Sequence, residues 1–321
     1  MKGGLAMISL LLAAALAAAP TPSSREVEAS GPQGPLKGTL LSASSPRAPV
    51  VLIIPGSGPT DRDGNNPLGV KAAPYRLLAE ALAGDGVSTV RIDKRGMFGS
   101  RAAIADANRV TIADYADDVH AWVKAMRAGT GARCIWVAGH SEGGLVALAA
   151  ARQPEGICGL VLISAAGRPL DRIIREQLQA NPANAPLLAE ALAALDKLKA
   201  GQRVDTAGMN PALLPLFAPQ VQGFLADMMA YDPAELVAAF RGPVLIVQGD
   251  RDLQIGVGDA RRLAGADAKA KLVVLPGVNH VLKAVATDDR AANFATYGNP
   301  ALPLADGVAG AIAAFVKAGG R

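Results

Sequence analysis

The chain has 321 residues, half of them hydrophobic, with a formal net charge of +4 and only 4% aromatic residues. That length suits one large α/β domain with an elaboration, or two domains. Lys and Arg are scattered rather than clustered and stacking side chains are sparse, which speaks against a nucleic-acid partner.

Lys2, the apolar run from Leu5 to Leu16 and the small residues Ala17-Ala18-Ala19 have the layout of a secretory signal peptide over residues 1–19. A periplasmic or secreted mature protein is therefore expected. The run is shorter than the roughly 20 apolar residues of a membrane span, so no stable membrane anchor is expected after cleavage. Residues 20–34, rich in Pro, Ser and Gly, read as a linker, although Glu26–Ala29 are also expected to pair antiparallel with a strand at 36–44. Val50 to Ile54 is a continuous β-branched and leucine run, the pattern of a strand buried on both faces. A polar loop (56–70), a helix near 72–83 and a strand from Val87 to Ile92 follow. Ile112, Tyr115, Val119, Trp122, Val123 and Met126 recur at helical spacing, with Thr111 as N-cap.

Next come a strand from Ile135 to Ala138, a helix of small residues from Gly143 to Ala151, and a strand over 159–163. Strands alternating with helices predict a mostly parallel sheet covered on both faces. The alternation pauses over residues 167–240, helical in composition and punctuated by five prolines from Pro182 to Pro219; this stretch reads as an inserted helical cap. The pattern resumes with a strand at Val244–Val247, a helix around Asp259–Leu263, a strand at Leu272–Leu275 and a closing helix over 305–317. The domain reading is thus a core in two parts, 35–166 and 241–321, around the cap. Cys134 and Cys158 stand at the starts of consecutive strands. Neighbouring strands lie about 4.8 Å apart, so the two are either bridged in an oxidising compartment or remain as buried thiols.

The most informative segment is Gly139-His140-Ser141-Glu142-Gly143, a G-x-S-x-G between a strand and a helix. A serine at the tip of so sharp a turn is strained, and its neighbours must be small because a Cβ would strike the adjoining strand or helix. The turn presents the Ser141 hydroxyl and aims a helix N-terminus at it, which favours developing negative charge. A serine needs a base, and the base needs a carboxylate to hold its tautomer. His120 reads as a surface residue and His140 as packing; only His280 lies downstream, in a loop after the last strand, where open α/β sheets bind ligands. Asp250 and Asp252 both follow the strand at 244–247 and both qualify as the acid. The oxyanion donors are expected to be the backbone N–H groups of Glu142 and of Ser57, in Pro55-Gly56-Ser57-Gly58-Pro59. The Glu142 carboxylate reads either as a solvated or helix-N-terminal charge or as a holder of a cationic substrate group.

These residues resemble the serine α/β-hydrolase superfamily over nearly all the mature chain. Pro-Gly-Ser-Gly-Pro-Thr-Asp-Arg-Asp-Gly-Asn (55–65), Asp-Lys-Arg-Gly (93–96), Gly-His-Ser-Glu-Gly-Gly (139–144), Gly-Asp-Arg-Asp-Leu-Gln (249–254) and Asn-His (279–280) are similar to a bacterial carboxylesterase branch. That branch is often described loosely as dienelactone-hydrolase-like or serine-aminopeptidase-like. The resemblance implies an α/β-hydrolase fold, a Ser141, Asp252, His280 triad in which Asp252 rather than Asp250 is the acid, and an oxyanion site from Ser57 and Glu142. Pro55 stands where the wider superfamily often has His, and Met97-Phe98 lengthen the usual Gly-x-Gly-x-Ser. The Asp61–Asn65 loop is distinctive of the branch, with no role beyond bracing the oxyanion turn. The expected function is a serine hydrolase of small carboxylic esters acting through an acyl-enzyme. The alternatives are an aminopeptidase or amidase, and a non-catalytic hydrolase-like binding protein. No cofactor or metal is implied, since the three histidines are scattered. Acyl specificity and oligomeric state stay open; Leu213, Leu214, Leu216, Phe217, Phe224, Met228 and Met229 either line an acyl pocket or form the core of the cap.

Overall fold

The computed structural model describes residues 21–319; the segment read as a signal peptide, 1–19, lies outside the described residues. Eight strands form one sheet: β1 (Ser23–Ala29), β2 (Leu36–Ser42), β3 (Val50–Ile54), β4 (Ser88–Ile92), β5 (Ile135–His140), β6 (Ile157–Ile163), β7 (Val244–Gly249) and β8 (Lys271–Leu275). Their order is β1-β2-β4-β3-β5-β6-β7-β8. β1 pairs with β2, and β2 with β4, antiparallel; the remaining pairs are parallel.

The linker reading of 20–34 is corrected over Ser23–Ala29. Those residues pair with β2 from Ser23↔Ser42 to Ala29↔Leu36, and Val27 and Ala29 alternate into the core. The Pro- and Gly-rich composition belongs to the connection after β1, where a hairpin needs it.

The central strands are apolar on both faces because both are covered. Leu52 and Ile54, Val137, Leu160 and Leu162, and Ile246 enter one layer of the core; Val51 and Ile53, Trp136 and Ala138, Val161 and Ile163, and Leu245 and Val247 enter the other. Four helices close the first face: α2 (Ile112–Thr130), α3 (Glu142–Ala150), and, beyond β6, α8 (Pro233–Ala239) and α9 (Val257–Ala266). α1 (Pro74–Gly84) and α11 (Val308–Gly319) close the second. α2 starts where its sequence predicts, with a reciprocal capping box between Thr111 and Asp114, and ends at Gly131 with φ 73°.

Between β6 and β7 the chain forms α4 (Leu170–Ala180), α5 (Leu188–Lys199), α6 (Leu214–Phe217), α7 (Pro219–Met229) and α8. This insertion has its own apolar cluster around Leu195, Leu198, Phe217 and Met229. A further helix, α10 (Arg290–Ala295), lies between β8 and α11 and has no counterpart in the sequence reading. Among the described residues, no helix is long and apolar enough to cross a membrane.

Candidate active site

Ser141 sits between β5 and α3 with φ 54° and ψ −120°, a backbone conformation that costs a non-glycine residue about 1–3 kcal/mol. The surroundings hold it there. Its N–H donates to the Ile163 carbonyl at 2.9 Å, and its own carbonyl accepts from Gly144 N–H at 2.9 Å. The neighbouring glycines are required sterically: a Cβ on Gly139 would lie 2.0 Å from the Gly143 carbonyl oxygen, and one on Gly143 would lie 2.4 Å from that of Ile54. The turn between the apolar strand and the small-residue helix is therefore as tight as the motif demands.

His280 follows β8 in a loop closed by a hydrogen bond from Asn279 N–H to the Lys283 carbonyl. Its Nδ1 lies 2.8 Å from Asp252 Oδ2. Asp252 is buried, and burial pushes its carboxyl upward; the facing His280 and the N–H groups of Gln254 and Ile255 outweigh that and hold it below the usual carboxylate range. An ionised Asp252 accepts from Nδ1–H, which selects the tautomer whose Nε2 is the acceptor nitrogen. Asp250, the competing acid, instead accepts from Gly277 N–H at 2.7 Å and serves the turn. Ser141 and His280 line one cavity of about 160 Å³ together with Gly56, Ser57, Gln254 and Tyr297. A Ser141–His280 hydrogen bond is not formed in this structure, whereas the Asp252–His280 bond is. Such contacts commonly tighten only when substrate is bound.

The loop after β3 reaches Ser141: a Cβ on Gly56 would lie 3.3 Å from that of Ser141. Behind it is a residue to which the sequence reading assigns no role. Lys94, two residues past β4, is buried and donates from Nζ to the Gly56 carbonyl at 2.7 Å and to Glu142 Oε1 at 2.8 Å. The Glu142 side chain, with 3% exposure, is thus neither a solvated charge nor free to hold a substrate amine. Its place as a helix-N-terminal charge holds, whereas the solvated charge and the holder of a substrate amine are corrected. A carboxylate at the first position of α3, away from water, requires a cation within reach, and the Asp-Lys-Arg-Gly loop supplies it.

His140 is also more than packing. Its Nε2 lies 2.8 Å from the His280 carbonyl oxygen, which can only accept, so Nε2 carries the proton. Burial, with His280 alongside, pushes His140 down to about 3, so the ring is neutral and Nδ1 is an acceptor. Tyr75 donates its hydroxyl proton to that Nδ1 at 2.8 Å and accepts from Gly56 N–H at 3.0 Å. One directed chain of bonds runs from the loop after β3 to the backbone of His280.

The Asp61–Asn65 loop acquires a role here. Asp61 Oδ1 accepts from the N–H groups of Asp63 and Asn65, and the Asp63 carbonyl accepts from Tyr75 N–H. Arg62 forks onto Asp93 at 2.6 Å and 3.0 Å. The loop seats the start of α1, which carries Tyr75, against the segment just after β4, which carries Asp93 and Lys94.

A second cavity of about 520 Å³ lies along Gly58, Pro59 and Pro67, between Tyr115 on α2, Met97 and Phe98, and Val221 and Phe224 on α7. Neither cavity has an Asp or Glu in its wall. Of the seven apolar residues considered for an acyl pocket, only Phe224 lines this cavity; Leu213, Phe217 and Met229 are core of the insertion, with Leu216 and Met228 packed on it. Met97-Phe98, which lengthen the usual motif, form part of the wall.

Cys134 and Cys158 are disulfide-bonded at the opposite end of the sheet, with Cα atoms 5.1 Å apart. The histidines are less scattered than they read: the His140 and His280 rings stand 4.7 Å apart. No group of three metal-ligating side chains occurs among the described residues.

The α/β hydrolase family model matches residues 50–296, and the chain belongs to that family. The esterase EstD of Thermotoga maritima is 26% identical over 258 residues, covering 77% of this chain and 58% of EstD, so this chain spans a little over half of that relative's length. Among solved structures, a thermophilic esterase of Thermogutta terrifontis superposes with a TM-score of 0.56 at 18% identity, covering 92% of this chain and all of that one. Est1E of Butyrivibrio proteoclasticus does so with a TM-score of 0.52 at 19% identity, covering 84% and 94%. At these identities the structural likeness establishes the fold.

Proposed function

We propose that the protein is a serine carboxylesterase acting on small carboxylic esters through a Ser141, His280, Asp252 triad. The observation that carries this reading is the pairing, in one cavity, of a strained Ser141 with a His280 whose tautomer is set by Asp252. His280 Nε2 takes the Ser141 proton as Oγ attacks the ester carbonyl. The Ser57 and Glu142 N–H groups receive the oxyanion, the alcohol leaves with the proton from His280, and the acyl-enzyme is hydrolysed by water that His280 activates. The larger cavity accommodates an apolar acyl or alcohol group.

The aminopeptidase alternative needs a carboxylate for the substrate amine. Glu142 is committed to Lys94, and the cavity walls lack another acid, so esters without a cationic group are the favoured substrates. The signal-like residues 1–19 support a periplasmic or secreted setting, and the Cys134–Cys158 bridge is in keeping with an oxidising compartment.

The test is hydrolysis of short and medium nitrophenyl esters by the purified protein beside Ser141→Ala, with fluorophosphonate labelling of both. Activity and label confined to the parent protein are expected. A folded parent that takes no label would leave the non-catalytic binding protein as the reading. Turnover of aminoacyl amides in preference to esters would establish the aminopeptidase instead.

A further inference from the structure

We propose that Lys94 is a positioning residue of the oxyanion site, orienting one donor through the Gly56 carbonyl and steadying the other through the Glu142 side chain. The inference rests on the esterase reading above. It starts from the geometry of a peptide bond. In a trans peptide the carbonyl and the following N–H point in opposite directions, and among the described residues no cis bond occurs. Lys94 Nζ holds the Gly56 carbonyl at 2.7 Å, so the N–H of Ser57, in the same peptide unit, is turned the other way. Ser57 and Gly56 line the cavity that holds Ser141 and His280. Among the described residues, the Ser57 N–H has no hydrogen-bond acceptor. The preceding peptide is held independently, by Gly56 N–H on the Tyr75 hydroxyl. Gly56 is therefore clamped on both sides, and the clamp leaves the Ser57 N–H available.

The second donor belongs to Glu142. As the first residue of α3, its N–H has no intrahelical carbonyl to bind. Its side chain folds back onto the same Lys94 ammonium at 2.8 Å. One cation thus joins the two segments whose N–H groups must converge, segments that are otherwise 85 residues apart in the chain (142 − 57). Two of the three ammonium N–H donors are engaged in these bonds, and Nζ stands 5.3 Å from the centre of the Tyr115 ring, an aromatic contact that favours a cation, where the side chain borders the larger cavity. Lys94 acts on the reaction through the backbone and not by touching the reacting atoms.

A merely structural ion pair would give the same picture in one respect, since removing either partner leaves a buried charge unmatched. The two roles separate in a double variant. Lys94→Met and Lys94→Met/Glu142→Met are compared with the parent and with Ser141→Ala. The readouts are kcat and KM on one short nitrophenyl ester, the same on its thiono analogue, and thermal melting. Lys94→Met is expected to lose about 10²-fold in kcat, as when one oxyanion donor is lost, with KM nearly unchanged and a lower melting temperature. The double variant is expected to regain much of the melting temperature, because no buried charge is left unpaired. Its kcat stays low and its preference for oxygen over sulfur stays reduced, because the Gly56 carbonyl is still unheld.

Recovery of kcat together with melting temperature would make Lys94 a counter-ion only and overturn the assignment. A Lys94→Met variant with the parent's kcat would do the same. So would a double variant that fails to fold, since the pair would then be a folding requirement. A parent no faster than Ser141→Ala sinks the esterase reading itself, and this assignment with it.

Discussion

β5 and β6 carry opposite kinds of chemistry at their two ends. At the N-terminal ends, Cys134 and Cys158 are joined covalently. At the C-terminal ends stand Ser141 and Ser164, both at positive φ. Among the described residues the other non-glycine positive-φ positions are Ala73, Phe98 and Leu282, and each also lies in a segment following the C-terminal end of a strand. The buried Lys94–Glu142 pair and the Tyr75–His140 bonds lie on that side too. Strain and buried charge weaken a fold, and they gather where the site needs fixed dipoles. The opposite end has no non-glycine residue at positive φ among the described residues and carries the cross-link. The lesson is a division of labour along single strands, with stability concentrated at one end and preorganisation at the other.

That contrast can be broken by changes that affect the wrong property. The largest effect is expected at Ser141→Ala, a loss of at least about 10⁴-fold in ester turnover with folding retained, read by steady-state kinetics and circular dichroism. Asp252→Asn should follow, at about 10³- to 10⁴-fold near neutral pH, because the amide no longer holds His280 with Nε2 free. Asp250→Asn should leave turnover nearly unchanged; if it is the more damaging of the two, the acid has been misassigned.

The other end answers differently. Replacing both cysteines with alanine should cost about 3 kcal/mol of stability for a 24-residue separation, measured by denaturant titration, and leave kcat alone. A large fall in kcat at unchanged stability would contradict the separation of the two ends. Tyr75→Phe, back at the site, removes the hydroxyl between Gly56 N–H and His140 Nδ1. About 1–3 kcal/mol of stability should go with it, since two buried groups lose their partner.

The most gradual effect is the slope with pH. An unfolded imidazole binds its proton near pH 6.5, whereas burial and His280 push folded His140 down to about 3. Between those values the unfolded chain takes up a proton that the folded one refuses. Stability should therefore fall on acidification, by up to about 1.4 kcal/mol per pH unit from this group. Asp252 adds to the loss at lower pH: its folded carboxyl is held below the usual range, so its contribution is present above the unfolded pKa and disappears as pH drops through the folded one. Denaturant midpoints at pH 7, 6, 5 and 4 for the parent and His140→Gln would show it. Identical slopes in the two proteins would mean that His140 is not held neutral.

Much of this site is legible in the amino-acid sequence. Ser141 is announced by glycines on either side and by an apolar strand in front. His280 is the one histidine downstream of it, and Asp252 emerges once resemblance breaks the tie with Asp250. Lys94 stands within a motif that gives it no role, and Tyr75 has no motif around it. A lysine or tyrosine carries no local signal that it will be buried or which carbonyl it will meet. Glu142 misleads for the same reason: at a helix start a carboxylate reads as a solvated charge, and only the approach of β4 and β3 removes the water. The expected pairing of Glu26–Ala29 is found, but the linker reading of 20–34 misses that the strand begins at Ser23, because it averages composition across a strand and the turn beside it.

The sequence by itself determined the alternation of strands and helices, the elbow at Ser141 and the order of the three candidate catalytic residues. Those follow from periodicity, from the steric freedom of glycine and from the chemistry of a serine, a histidine and an acid. Only the tertiary structure decided the tautomer of His140, the partner of Glu142 and the orientation of the Gly56–Ser57 peptide. Each depends on groups far apart along the chain being enclosed together, 48 residues for Lys94 and Glu142 and 140 for His140 and His280. Once water is excluded, a buried donor or charge depends on a partner supplied by the protein itself.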